Sequence, residues 1–390
     1  MEPLDIPRFL ADNEEAKKQN CFNPKAAQIA FGVQMELDCI YDEIGVNDGL
    51  HPWAPRPPEL MRKYLRLYND RAEEIIGCRI MNENFPSLRT YFPYLKRIGE
   101  IFEGTYKMEG YAEWLYPGEK LRSHPAPLDV EAMLDRVEKL DLYSFVIPEN
   151  WEKECRRVFD EHGIKPEPGF LEGRQVRGPV TAATSVMNSE DFIMLYYDAP
   201  ELFERFGSVM ANVMVSYVKV IDKACGYTEE NRIHGFRFND DNCCLLTPEM
   251  YENFGYPVLK KVFDYCSPDE NDFRYQHSDS DMAHLIPILA RFDLTGVNFG
   301  PNVLVEMIRP YMPKTRIDGC ISPLVIQRND EIELVRQVKR DCQTAIKNNW
   351  RGLNIAAAGL TTYGSRLSSL RVMMQAIQNY GRRRTPAAGS

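Results

Sequence analysis

A parallel α/β fold, a (β/α)8 TIM barrel carrying an N-terminal helical extension, is what three features of this sequence predict. Short apolar runs end in polar tips at residues 233–241, 273–279 and 296–301. Helix-length segments separate them, at 248–264 and 282–292. Strand, polar tip, helix and strand again is the order of a parallel sheet with crossover helices. A length of 390 residues also suits one barrel with added helices.

The elements follow in chain order. Residues 1–75 read as a helical cap, with segment 23–43 nearly free of breakers and apolar residues at helical spacing over 58–76. A Gly/Pro-rich loop at 45–58 lies between them and contains His51 and Trp53. The barrel is expected over 76–381, opening with a strand at 76–84. Residues 85–125, rich in Pro, Gly and aromatics such as Tyr91, Tyr94 and Tyr106, supply loops over a pocket and a weak second strand near Thr105. Helices follow at 128–140, near the capping acid Asp129, and at 150–162, closed by Gly163.

From Gln175 the pattern is regular. A strand runs through Arg177 into the Gly178-Pro179 turn. Asp198, Pro200 and Glu201 have the spacing of a helix start, and Leu202, Phe206, Val209, Met210, Val213, Tyr217 and Ile221 form one apolar stripe before Gly226. Thr247-Pro248-Glu249 opens the next helix in the same way. Late strands at 315–321 and 352–359 enclose a helix at 331–348, and 368–379 is a last helix. Strands near 78, 104, 177, 235, 275, 297, 317 and 354 make about eight; residues 382–390 read as a disordered tail.

Composition narrows the function classes. Hydrophobic residues make up 44% and charged residues 27%, as in soluble globular proteins. No run of about 18 apolar residues exists to span a membrane, and the N-terminus has no signal-peptide core. The 10 cysteines lack CxxC spacing, which points to reduced thiols and a cytoplasmic setting. A net charge of −10 argues against a nucleic-acid binder.

The residue types at the strand ends suggest chemistry. His277 and Asp279 are two apart, so their side chains share a face if the strand continues; Asn239 and Asp241 have the same relation one strand earlier. Neighbouring parallel strands lie about 4.8 Å apart, so these groups are expected to meet, with the adjacent Asp240 beside them. Close carboxylates split their pKa values, giving an acid and a base, or they hold a hard metal with imidazole help. A zinc site from His277 and two of Cys243, Cys244 and Cys320 is the thiol alternative. Arg177 and Arg237 suit a substrate carboxylate or phosphate, with Asn239, Ser185, Asn298 and Tyr275 as further substrate contacts. No GxSxG elbow supports a serine hydrolase.

From about Arg177 onward the chain resembles the uroporphyrinogen decarboxylase superfamily, which also holds corrinoid- and coenzyme-M-linked methyltransferases. The landmarks are Arg177-Gly-Pro-Val-Thr181, the helix start at Asp198, Asp240-Asp241 with Leu245-Leu246-Thr247-Pro248-Glu249, Tyr256-Pro257, His277-Ser-Asp279 and Gly319-Cys320-Ile-Ser-Pro323. The resemblance implies a (β/α)8 barrel with its site at the strand ends. It departs from the decarboxylases where they carry an early arginine-rich strand, where Ser185 stands in place of a tyrosine, and where Ala356–Ala358 replaces a late histidine. Against the zinc methyltransferases, Asp279 stands for the first cysteine and the alanine run for the last, so the zinc ligands that the resemblance implies here are His277 and Asp279 with Cys320 or Asp241. The expectation is a methyltransferase-type enzyme passing a methyl group from a small substrate to a corrinoid protein or similar acceptor, with zinc or no metal. The alternatives are a metal-independent decarboxylase and a non-catalytic ligand-binding barrel. The resemblance also makes a homodimer the expected assembly.

Overall fold

The computed structural model describes residues 1–33, 35–51, 54, 56–83, 91–109, 112–163, 165–170 and 176–383. The expectations placed on Trp53, on Gln175 and on most of the C-terminal tail lie outside these residues. Nine strands are described: β1 Ala30–Phe31, β2 Thr105–Glu109, β3 Ala112–Tyr116, β4 Val176–Arg177, β5 Phe236–Asn239, β6 Arg274–Ser278, β7 Gly296–Phe299, β8 Arg316–Ile321 and β9 Leu353–Ala357. The principal helices are α1 Ile6–Lys17, α2 Pro58–Ile76, α3 Pro127–Glu138, α4 Trp151–His162, α5 Pro179–Val186, α6 Pro200–Ala224, α7 Pro248–Asn253, α8 Gly255–Cys266, α9 Glu331–Lys347 and α10 Leu367–Tyr380. Seven strands form one sheet in the order β1-β9-β8-β7-β6-β5-β4. Pairs β1–β9, β4–β5, β7–β8 and β8–β9 run parallel. This is the expected α/β, TIM-barrel-like class, with seven strands in the large sheet among the described residues where the sequence suggested about eight.

The chain divides into two compact units, residues 1–86 with 276–390, and residues 87–275, the division falling within β6. The first unit carries β1, β9, β8 and β7 with the C-terminal part of β6. Helices α9 and α10 cover it with Leu334, Val338, Cys342, Leu370, Met373 and Met374, all buried. Two expectations are corrected here. Segment 23–43 is not one helix, because Ala30 and Phe31 pair with Asn354 and Ile355 as β1. Gly32 N–H donates to Ile355 O at 2.9 Å, so the N–H and C=O of Phe31 face away from β9. The buried Asn13 side chain of α1 takes both, accepting from Phe31 N at 2.7 Å and donating to Phe31 O at 3.1 Å.

Nor are residues 76–83, the described part of the strand expected at 76–84, a strand. Ile76 is the last residue of α2, which ends at Gly77 with φ +79. The Asn69 amide then accepts from Ile80 N at 3.0 Å and Met81 N at 2.9 Å, and donates to Met81 O at 3.0 Å. A side chain fills the place a ladder partner would have taken.

The second unit holds β4, β5 and the start of β6, and the antiparallel hairpin β2–β3. The strand expected near Thr105 exists, but in this hairpin and not in the large sheet. The stripe on α6 is buried as expected, except that Phe203 takes the place of the half-exposed Leu202. Phe192, Phe203, Phe206 and Phe254 form one aromatic cluster, with Phe192 and Phe254 centroids 4.8 Å apart. Asp198 does not cap α6. It ends the preceding helix Ser189–Asp198, and Ala199 is the N-cap residue before Pro200. Thr247 does cap α7, accepting from Met250 N at 3.2 Å. Helix 248–264 is broken at Phe254, and a Cβ on Gly255 would lie 2.4 Å from the Tyr251 ring. Among the described residues, no helix is long and apolar enough to cross a membrane.

Candidate functional site

In the first unit the strand ends converge on Asn298 of β7. Its Nδ2 donates to the carbonyls of Asp318 on β8 and Ala357 on β9, the latter at 2.9 Å. Its Oδ1 must therefore be the accepting atom, and it receives Gly359 N–H at 3.0 Å. The same oxygen lies 2.8 Å from His277 Nδ1. That contact is a hydrogen bond only if Nδ1 carries the proton, which fixes the imidazole tautomer and aims Nε2 at Asp279 Oδ1, 3.2 Å away. The His277 side chain is 7% exposed and that of Asp279 52%. A buried, oriented imidazole thus meets an acid open to a ligand.

Two glycines make room for that acid. A Cβ on Gly359, where φ is +113, would lie 2.2 Å from Asp279 Oδ1, and one on Gly300 would lie 2.4 Å from Asp279 O. With Nδ1 protonated, Nε2 either shares a further proton with Asp279 or offers its lone pair to a cation that Asp279 also binds. The nitrogen and oxygen donors of His277 and Asp279 fit a borderline divalent cation; a thiolate zinc set is not assembled with them. Cys320 is buried near Asp341 and Arg340 of α9, where burial pushes its thiol well above the ordinary range.

In the second unit, Arg177 ends β4 and lies in register with Asn239, the last residue of β5. Both are exposed. Arg237 is exposed too, donating to Asn239 Oδ1 at 3.0 Å with its guanidinium 5.2 Å from the Tyr275 ring. Tyr275 is buried and stacks on Phe273.

Asp240 is fully buried. Its Oδ1 accepts Thr181 N at 2.8 Å, anchoring the first turn of α5, and Oδ2 has no partner among the described residues. Burial pushes its carboxyl up to about 7 against the hydrogen bonds from Thr181, with Asp241 adding a smaller upward push. Asp241 is half-buried and begins a 3-10 turn in which Asn242 binds Thr181 Oγ1 and Thr184 Oγ1 at 3.0 and 2.8 Å. The Ser185 hydroxyl donates to Thr181 O at 2.6 Å, within its own helix.

Sequence reasoning named Asn298 only as a substrate contact and missed its linking role. It also missed Arg97, whose guanidinium lies 3.3 Å from the Tyr106 ring and pairs with Glu113 of β3. Arg97, with a smaller contribution from Arg177, holds the Glu113 carboxyl below its ordinary range, which brings this hairpin within electrostatic reach of the β4 end. The aromatic density of 85–125 was the available signal. A second group with metal-ligand chemistry is His234, whose Nδ1 is 3.2 Å from both Asp269 and Asp272, ahead of β5 and β6.

A TIM-barrel-like α/β chain with ionisable groups at the C-terminal ends of its strands has the form of a barrel enzyme. The sequence model of the uroporphyrinogen decarboxylase (URO-D) family matches residues 174–380, and this chain belongs to that family. A solved methyltransferase from Methanosarcina mazei aligns over 97% of this chain and 99% of its own, with a TM-score of 0.52 at 14% sequence identity, a likeness of fold. No curated protein matches the chain.

Proposed function

We propose that this chain is a methyl-transferring enzyme that takes a methyl group from a heteroatom of a small substrate. The observation that carries the reading is the fixed orientation of His277 by Asn298, with Nε2 facing Asp279. When the carbon–heteroatom bond breaks, the methyl group leaves to the acceptor's electron pair and the pair left behind stays on the heteroatom. His277 and Asp279 give that heteroatom a proton or share a cation that polarises it. Zinc bound there would act as a Lewis acid. In the second unit Arg177 and Arg237 are suited to an acidic group of a ligand, and Asp240 keeps the α5 turn in place. The acceptor in this reading is a corrinoid carried by a partner protein, and the setting is a cytoplasmic homodimer. The family, and the likeness of fold to the Methanosarcina mazei methyltransferase, support this class of reaction.

A decarboxylase is the second reading, favoured by the family itself and by the exposed guanidinium groups at the ends of β4 and β5. There an arginine grips the carboxylate and an acid stabilises the protonated intermediate that takes up the electrons left by CO2. Incubating the purified chain with a methylated corrinoid protein tests the first reading through methyl exchange, lost in His277→Ala. Absence of exchange together with CO2 release from a carboxylated substrate by the metal-free chain overturns it in favour of the second.

A further inference from the structure

The C-terminal half of α6, the loop leading into β5 and the end of α8 line an open cavity of about 310 Å³. Its loop residues Tyr227, Thr228, Glu229 and Arg232 precede β5 in the chain, whereas Asn239 ends that strand. Lys219 and Lys223 lie one turn apart on α6 and so share a wall of it. Neither forms an ion pair among the described residues. Instead Lys219 Nζ lies 4.7 Å from the Tyr265 ring and Lys223 Nζ 4.7 Å from the Tyr143 ring. Arg232 adds a third cation, its guanidinium 4.4 Å from the Tyr265 ring and one nitrogen donating to Tyr265 O.

Two acids also line the space. Glu229 is 3.7 Å from Arg232 and 3.5 Å from the Tyr265 hydroxyl, so it offsets the guanidinium. Asp222 is buried and its charge offsets part of the remainder. Three cations against two carboxylates leave a positive surplus beside an aromatic ring. Long ammonium side chains normally spread into water, and here two lean on rings at the edge of a cavity. Lys223 also complements the C-terminal end of α6, but Lys219 stands a full turn earlier, outside the reach of that effect.

From this geometry we infer that the cavity is a binding site for a small organic anion, a phosphate monoester or carboxylate attached to a ring-sized apolar body. The volume is at the lower end for small-ligand pockets and larger than an inorganic anion needs. The lysines take the charged group and the Tyr265 side takes the apolar body. The site is separate from the strand-end chemistry of this unit, so a ligand there acts at a distance or marks a docking point for a larger anionic molecule.

Phenyl phosphate is the first probe, titrated calorimetrically into the full chain at low ionic strength, with benzoate and inorganic phosphate in parallel. Saturable binding near 1 mM or tighter is expected, weakened roughly 10-fold in the double variant Lys219→Ala/Lys223→Ala and retained in Lys219→Arg/Lys223→Arg. Circular dichroism and an unchanged melting temperature show that the variants are folded. No saturation up to about 10 mM, or undiminished binding in the alanine variant, overturns the inference. Benzoate binding as well as phenyl phosphate supports a carboxylate ligand, and phenyl phosphate alone supports a phosphate ester. Inorganic phosphate binding as tightly as either overturns the role given to the ring.

Discussion

The strand ends of the two units are built on different plans. In the first, one buried amide links β6, β7, β8 and the segment after β9, and the histidine it orients has no freedom to choose a tautomer. In the second, Arg177, Arg237 and Asn239 are exposed side chains with few ties, while the buried acid behind them holds backbone. A group that transfers protons or shares a cation needs fixed geometry, because small displacements cost rate. A group that grips a charged substrate tail can adjust. The contrast supports the proposal that the first set does chemistry and suits the second to gripping an acidic ligand.

The sharpest way to break that contrast is Asn298→Ala. It removes the bonds that two carbonyls, one N–H and His277 Nδ1 make to this amide in a buried place, so stability should fall by about 3 kcal/mol or more in chemical unfolding. An Asn298→Ala chain as stable as wild type would mean the amide links nothing essential. Gly359→Ala comes next, at about 2 kcal/mol, since the new methyl group meets Asp279 and the backbone is left-handed there. Loss of metal affinity in calorimetry should accompany it, because Asp279 has to move.

A pH series then separates buried acids from exposed groups. Burial lifts the Asp341 carboxyl above its ordinary 3.8, against the opposing pull of Arg340. The folded chain keeps that proton where the unfolded chain has lost it, so this group's contribution falls as pH rises above 3.8. Relative to Asp341→Asn, wild type should lose ground as pH rises above 3.8, until the folded carboxyl has also ionised, measured by urea midpoints. A constant difference would reject the shift. The smallest stability effect belongs to Arg237→Ala, within about 0.5 kcal/mol, while its affinity for an acidic substrate should drop about 10-fold or more.

Much of the fold was legible in the sequence where local signals agreed. Thr247, the α6 stripe and Gly163 each combine a cap or stop with the right period, and six strands from Arg177 onward fall where polar tips follow apolar runs. The failures were non-local. Two residues of β1 carry no period, and only pairing with Asn354 and Ile355 makes them a strand. At 76–84 an asparagine from the preceding helix satisfies the backbone, which no pattern within the segment could announce. The spacing of His277 and Asp279 put them on one face, as observed. The linking role of Asn298 rests on contacts 20 to 61 residues away in sequence, which spacing rules do not reach.

The amide of Asn13 gives the first helix a duty beyond packing. Occupying the outward N–H and C=O of Phe31, it denies a passing peptide the two hydrogen bonds with which a foreign strand would dock beside β1. A chain cut back past this helix would bare a sticky border, and its first symptom in solution would be self-association before any loss of catalysis.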